Sequence, residues 1–528
     1  MIQPSRRSLL LGLPAAAAGL ALPAPLLAQE RELRIGLSGA ISSIDPHFAV
    51  LSSNTALAHH FFDSLVKQDA QFQPQPGLAL SWQVVEPQVW EFRLRPGVQF
   101  SDGTPFGAED VVASIERAPN VPNSPSSFAT YTNSIERVEA TGPLTVRMHT
   151  KRVNPLLPVD LANIMIIPKA LRNTPTAEFN AGRAVIGTGP YRLEEYTPGS
   201  RIVMARNPRY WGPAEPWSRV TLRIISNNAA RTAGLLAGDL DLIDNVGPAD
   251  MPALRASERI RVVDAVSNRV IFLMLDHGHD VSPDITGVDG RPLPANPLKD
   301  LRVRQALSLA INRTALAERI MGGQAVPAGQ ILPEGFLGVS PRIPVPPYDP
   351  DRARKLLADA GYPRGFRVTL RGPNNRYLND GAALQAVAQF FTRIGIEAGV
   401  ETQPWVAFRP LIGSSSFSIA LFGWASATGE PGLSLNALLG TKDAALGRGV
   451  PNGGLYSNPR FDALVQQAGT TLDRTARGAV LAEATELAMA DVALIPLFFP
   501  VVSWGARSTI RFDGHANEYT VAMRARPA

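Results

Sequence analysis

The 528-residue chain contains no cysteine. That excludes disulfides, thiolate metal sites and cysteine nucleophiles, and with them the lipidated cysteine that anchors a bacterial lipoprotein. There is little excess of either charge. The 51 basic and 46 acidic residues leave a formal net charge of +5, without a basic run, which argues against a nucleic-acid partner. Catalytic signatures are missing too: there is no G-x-S-x-G nucleophile elbow, no H-E-x-x-H zinc spacing and no phosphate-loop Gly-Lys-Ser/Thr. Charged residues make up 18% and hydrophobic residues 45%, which describes a globular chain, neither disordered nor built of many membrane spans.

What is present is length enough for two or three domains with full cores. The first segment pairs Arg6 with Arg7 and continues as an apolar run to Ala28. Gly12, Pro14, Gly19, Pro23 and Pro25 would break a spanning helix, so residues 1–28 read as an export signal that resembles the twin-arginine type. A general secretory signal is the alternative. Without a lipidated cysteine the exported product is expected to be soluble and periplasmic.

The organising stretch runs from Pro96 to Arg117, PGVQFSDGTPFGAEDVVASIER. Phe92 and Leu94 before it alternate as in a half-buried strand. Ser101 to Pro105 supplies turn chemistry, and Glu109 and Asp110 place negative charge in the first turn of a helix whose apolar face is Val111, Val112 and Ile115. Further markers follow in order. Ser43-Ile44-Asp45-Pro46-His47 reads as a loop, and Asn54 to Val66 as a helix. Gly187-Thr188-Gly189-Pro190-Tyr191 reads as a sharp turn into a strand. Leu235 to Ile243 passes from helix to strand, and Val270 to Leu275 is a strand. Val303, Ala306, Leu307, Ala310 and Ile311 repeat at helical spacing. A helix over 382–394, strands over 396–401 and 417–422, and helices over 458–490 alternate in the α/β manner. Ile495 to Phe499 is a last apolar strand.

This succession resembles the extracytoplasmic solute-binding proteins of ABC importers, in the large dipeptide, oligopeptide and nickel class known as family 5, over essentially the whole mature chain. The resemblance implies an α/β, two-lobed periplasmic binding protein fold of type II with an extra subdomain. It places the first lobe in residues 29–60, 187–275 and 497–528, the extra subdomain in 61–186 and the second lobe in 276–496. It also implies a non-enzymatic receptor without a cofactor, expected as a monomer. Such a receptor closes over a small peptide or peptide-like solute and delivers it to an inner-membrane ABC permease with separate ATPase subunits. The fold alone does not choose the ligand. An amino-acid conjugate, a sugar or a nickel chelate remains the alternative.

Binding clefts combine aromatic walls with a few fixed polar groups, and three stretches carry that mixture. The first holds Gly423, Trp424, Ser426, Thr428 and Glu430. Peptide-binding relatives read G-W-x-x-D-Y-x-D-P there, and their first aspartate pairs with the peptide ammonium. Ala427 occupies that position here, so either Glu430 takes over or the ligand is not an ordinary peptide with a free N-terminus. The second stretch is the polar loop with Asn375, Arg376 and Tyr377, where Arg376 has the fork for a carboxylate. Trp405 marks the third. Ser43 and His47, with Ser42, are expected to approach the cleft from the first lobe. His277 and His279 cluster locally but read as a solvated loop, and adjacent His59 and His60 point in different directions on a helix, so no metal site is expected. An exported hydrolase is the alternative of a different class, distinguished by turnover of a substrate.

Overall fold

A computed structural model of the chain describes residues 31–443 and 447–528. The export segment expected over 1–28 lies outside the described residues. Strand Leu494–Arg507, fourteen residues long, ties the molecule together. Its first half pairs antiparallel with Arg269–Leu275, and its second half with Ile260–Val266 and Leu242–Ile243. One lobe is built on the sheet that runs outward from the second half through Leu242–Ile243, Glu32–Leu37, Arg219–Ile224, Arg201–Arg206 and Tyr191–Thr197. The other extends from Arg269–Leu275 through Ile419–Ala425 and Arg367–Pro373 to Glu397–Gln403. The chain therefore crosses between lobes twice, at Val266 to Arg269 and at Pro500 to Val501, where the Ser267 N–H donates to the Pro500 carbonyl at 2.8 Å.

Strand Arg269–Leu275 was expected in the first lobe but hydrogen-bonds within the second lobe's sheet. An apolar run does not say which sheet it joins; the pairing partner decides, and Ile419–Ala425 provides it. In the same way the strand beginning at Leu494 belongs to the second lobe up to Phe498 and crosses only after Pro500. Because successive side chains of a strand face opposite ways, Ile271, Leu273 and Leu275 enter one core. Val270, Phe272 and Met274 enter the other. Helices cover both faces, which is why the strand is apolar throughout. The amphipathic repeat before Ile311 forms helix Leu301–Ala310, with Asp300 accepting the Arg302 N–H as its cap.

A four-stranded antiparallel sheet, in the order Ala79–Glu86, Val89–Leu94, Thr145–Thr150, Ile135–Gly142, forms the extra subdomain with helix Ala108–Arg117. Its own core includes Phe92, Phe100, Val111, Ile115, Val146 and Met148. The C-terminal chain folds into a hairpin of Ile510–Phe512 with Ala525–Pro527. The loop held between those strands returns to the boundary between the lobes.

Candidate functional site

Between the lobes lies a cavity of about 610 Å³, directly beside the hinge. A second cavity of about 590 Å³ continues it on the other side of Arg269, Arg376, Tyr377, Glu518 and Tyr519, which line both. Gly423, Trp424 and Ser426 line the larger cavity from the end of strand Ile419–Ala425, and Trp405 lines it from helix Trp405–Gly413. Tyr377 is fixed by Gly423. Its hydroxyl accepts the Gly423 N–H at 3.0 Å and donates to the Gly423 carbonyl at 3.1 Å. A Cβ at position 423 would lie 2.8 Å from the Tyr377 ring and 2.7 Å from Ile271 Cδ1, so only glycine allows this approach. The Arg376 guanidinium stands 5.2 Å over the Trp405 ring, and Trp405 in turn packs on Tyr377 and Phe422. The second lobe thus presents an aromatic wall with a cation held against it.

Not every residue expected in the cleft is found there. Glu430 is 5% exposed and pairs with Arg477, itself 7% exposed, at 3.0 Å; both lie outside the cavity lining. A buried carboxylate needs such a partner, and Arg477 on helix Arg474–Ala490 provides it, so Glu430 does not replace the missing aspartate beside a ligand. Thr428 is buried with it, donating to the Glu430 carbonyl at 3.2 Å. Asn375 caps the neighbouring helix by accepting the Trp405 N–H at 2.8 Å. Ser43 donates to Asn180 at 2.8 Å, and Ser42 contacts Asn54.

His47 is fully buried in a network away from the cleft. Arg117 grips Asp45 with two bonds of 2.8 and 2.7 Å and donates to His47 Nδ1 at 3.1 Å, while His47 Nε2 donates to the Met165 carbonyl at 2.7 Å. Burial and the Arg117 charge push the imidazole down to about 4. This loop is pinned by ion pairing across 72 residues of sequence, and its function is structural. His277 donates to the Ala493 carbonyl at 2.9 Å and His279 contacts Asp276 at 3.0 Å, so the two rings serve different partners.

The first-lobe wall comes largely from residues that the sequence did not single out. Asp63 pairs with Lys67 at 2.9 Å and accepts bonds from Trp211 at 2.8 Å and Thr188 at 3.1 Å. Burial opposes the Lys67 charge, but Asp63 outweighs it and holds the ammonium above its usual range. His59 faces the cavity as a neutral ring, pushed down to about 3 by burial and by Lys67 and Arg524.

The loop 513–524 supplies Asn517, Glu518, Tyr519 and Arg524. It is anchored by the Trp504 indole donating to Thr520 at 2.8 Å and by the Ala522 N–H donating to His60 Nε2 at 3.0 Å. Glu518 receives both Arg269 bonds at 3.2 Å and the Ser267 hydroxyl at 2.6 Å. Burial opposes the Glu518 charge, yet Arg269 and Ser267 hold its carboxyl below the usual range. The C-terminal loop therefore clasps the hinge itself. Nothing in its sequence announced this, apart from the adjacent Glu518 and Tyr519 and, five residues on, Arg524.

The fold and its cleft have counterparts among known proteins. Residues 73–445 match the family described as bacterial extracellular solute-binding proteins, family 5 Middle. The glutathione-binding protein GsiB of Shigella flexneri serotype 5b is 26% identical over 498 residues, which span 92% of each chain. The structure of HbpA2 from Haemophilus parasuis superimposes with a TM-score of 0.81 at 21% identity, covering 94% of this chain and all of the other. The periplasmic binding protein DppA of Helicobacter pylori, in complex with the peptide STSA, gives a TM-score of 0.75 at 23% identity over 94% and 98% of the chains. The chain belongs to the family 5 bacterial extracellular solute-binding proteins and is the non-catalytic, substrate-binding component of an ABC importer.

Proposed function

We propose that this receptor captures a peptide or peptide-like solute in the periplasm and presents it, lobes closed, to an inner-membrane permease with separate ATPase subunits. One observation carries the reading: the cavity of about 610 Å³ is walled by aromatic side chains of both lobes and borders the hinge crossing at Asn268 and Arg269. Its size falls within the range of roughly 300–1,000 Å³ that encloses small ligands. The relatives support the ligand class, since one is named for binding glutathione and another was solved with a short peptide. Arg376, Tyr377, Trp405, Gly423, Trp424 and Ser426 supply the second-lobe contacts, with the ligand stacked along the indole wall. Closure expels water and strengthens the few polar contacts. Export through the paired-arginine signal of residues 1–28 delivers the chain to that compartment, where it acts as a monomer.

Native mass spectrometry of protein purified from its own periplasm tests this reading. A bound peptide-like mass, released on denaturation and retained without turnover, is the expected result. Steady conversion of an added substrate, or a protein that is empty and takes up neither glutathione nor short peptides, would overturn it.

A further inference from the structure

The charges facing the larger cavity are not balanced. Its three carboxylates are all occupied within the protein: Asp63 by Lys67, Glu518 by Arg269, and Glu215 by Arg526 at 2.7 Å. Of its guanidiniums, Arg269 is held in this way and the others are not. Arg524, Arg376 and the exposed Arg409 form no ion pair among the described residues. Arg524 is half-buried, and among the described residues its guanidinium makes one hydrogen bond, to the Asn517 amide oxygen at 3.2 Å. Asp513, the carboxylate with most influence on it, pairs instead with Arg511 at 3.6 Å. Burial lowers the Arg524 guanidinium only to about 10, so it stays charged at neutral pH. A buried charge ordinarily has a counter-charge, and among the described residues no carboxylate forms an ion pair with Arg524; Glu518, which lies near enough to Arg376 to be favoured in its charged form, is already held by Arg269.

The two cations also sit on opposite lobes. Arg524 belongs to the C-terminal loop of the first lobe, anchored by buried hydrogen bonds, and Arg376 stands on the aromatic wall of the second. Because each guanidinium offers a fork for an anionic oxygen pair, a solute with a carboxylate at each end would bridge the lobes and favour the closed state. Among the described residues of the lining, each carboxylate already has a cationic partner, and none is left unpaired to receive an ammonium.

We propose that Arg524 and Arg376 form a two-sided anion clamp, so that the solute of this receptor is an acidic, peptide-like molecule with at least two carboxylates whose amine is not recognised. This rests on the receptor reading above and specifies its substrate class.

Calorimetry on the exported protein with three probes tests it: glutathione, which carries two carboxylates; N-acetylglutathione, which lacks the ammonium; and trialanine, which has one carboxylate. Glutathione is expected to bind at least about tenfold tighter than trialanine, in line with one added charge-assisted bond. N-acetylation should change glutathione affinity by less than about threefold, well under the effect of one charged hydrogen bond. Arg524→Gln should erase the preference for glutathione, lowering its affinity about tenfold more than that of trialanine, and Arg524→Lys should restore part of it with the charge. The lysine variant also controls for folding. Equal binding of trialanine and glutathione, or loss of binding on N-acetylation, would overturn the clamp and leave the receptor reading in place. Failure of all three probes to bind would overturn the clamp and the peptide-like reading together.

Discussion

Gly429 sits at φ +67° against the tip of the turn that carries Phe72, where an added Cβ would lie 2.3 Å from Phe72 Cβ and 3.1 Å from the Gln71 carbonyl oxygen. Phe72 belongs to the first lobe's extra subdomain, Gly429 to the second lobe. The Phe72 ring packs 5.7 Å from Phe336 of the second lobe and 5.2 Å from His515 of the C-terminal loop, leaving Phe72 4% exposed. Replacing Gly429 by alanine has two separable effects. The left-handed backbone costs an L-residue ~1–2 kcal/mol, but in the open and closed states alike, so it lowers stability without touching ligand affinity. The Cβ clash exists only when the lobes meet. Relieving it withdraws Phe72 from Phe336, and losing part of a burial worth ~1.5–3 kcal/mol sets closure back by ~1–2 kcal/mol. That corresponds to affinity weakened by a factor of about 5–30. Titration calorimetry on wild type, G429A, F72A and the double variant checks the reasoning. Because both substitutions break one contact, the double variant should be little worse than either single one. Wild-type affinity in G429A, or additive losses in the double variant, would refute it.

Trp424→Ala should weaken ligand binding by about 5–150-fold, as for an aromatic anchor worth ~1–3 kcal/mol, with an unaltered circular dichroism spectrum; unchanged affinity in calorimetry would remove Trp424 from the site. Arg477→Ala strands the buried Glu430 carboxylate and should cost ~3–5 kcal/mol of stability, read by urea denaturation, whereas Glu430→Gln should leave ligand affinity as it is. Burial and Arg117 hold His47 at about 4 against its ordinary 6.5, so the unfolded chain takes up the proton first and the stabilisation, complete above pH 6.5, is lost as the pH falls toward 4. Urea midpoints measured over that window should fall more steeply in the wild type than in His47→Gln; parallel slopes would contradict the assignment.

The family was legible because its markers are local. The segment from Pro96 to Arg117, the amphipathic helix before Ile311 and the strand before Leu275 carry their structure in their own periodicity and turn residues. The second-lobe face of the cleft was legible for a similar reason: Gly423, Trp424, Arg376, Tyr377 and Trp405 sit at a strand end, in a loop and at a helix start, where aromatic and polar residues stand out against apolar neighbours. Residues whose role depends on a distant partner were not legible. Glu430 has the right chemistry for an ammonium, but Arg477, 47 residues on, takes it. His47 has the right chemistry for a ligand, but Asp45 and Arg117 enclose it. The loop 513–524 has no periodicity, and its path into the cleft is fixed by the Trp504 and His60 side chains. Lobe membership of Arg269–Leu275 failed for the same reason, since a strand's sheet is set by its partners.

A solute held between the lobes should draw them together about the hinge clasped by Arg269 and Glu518. Small-angle X-ray scattering of the exported protein, free and saturated with glutathione, tests it most directly. The saturated sample should have the smaller radius of gyration, and G429A should need about 5–30-fold more glutathione to reach the same change. Saturation established by calorimetry, with the two scattering profiles superimposable, would contradict it.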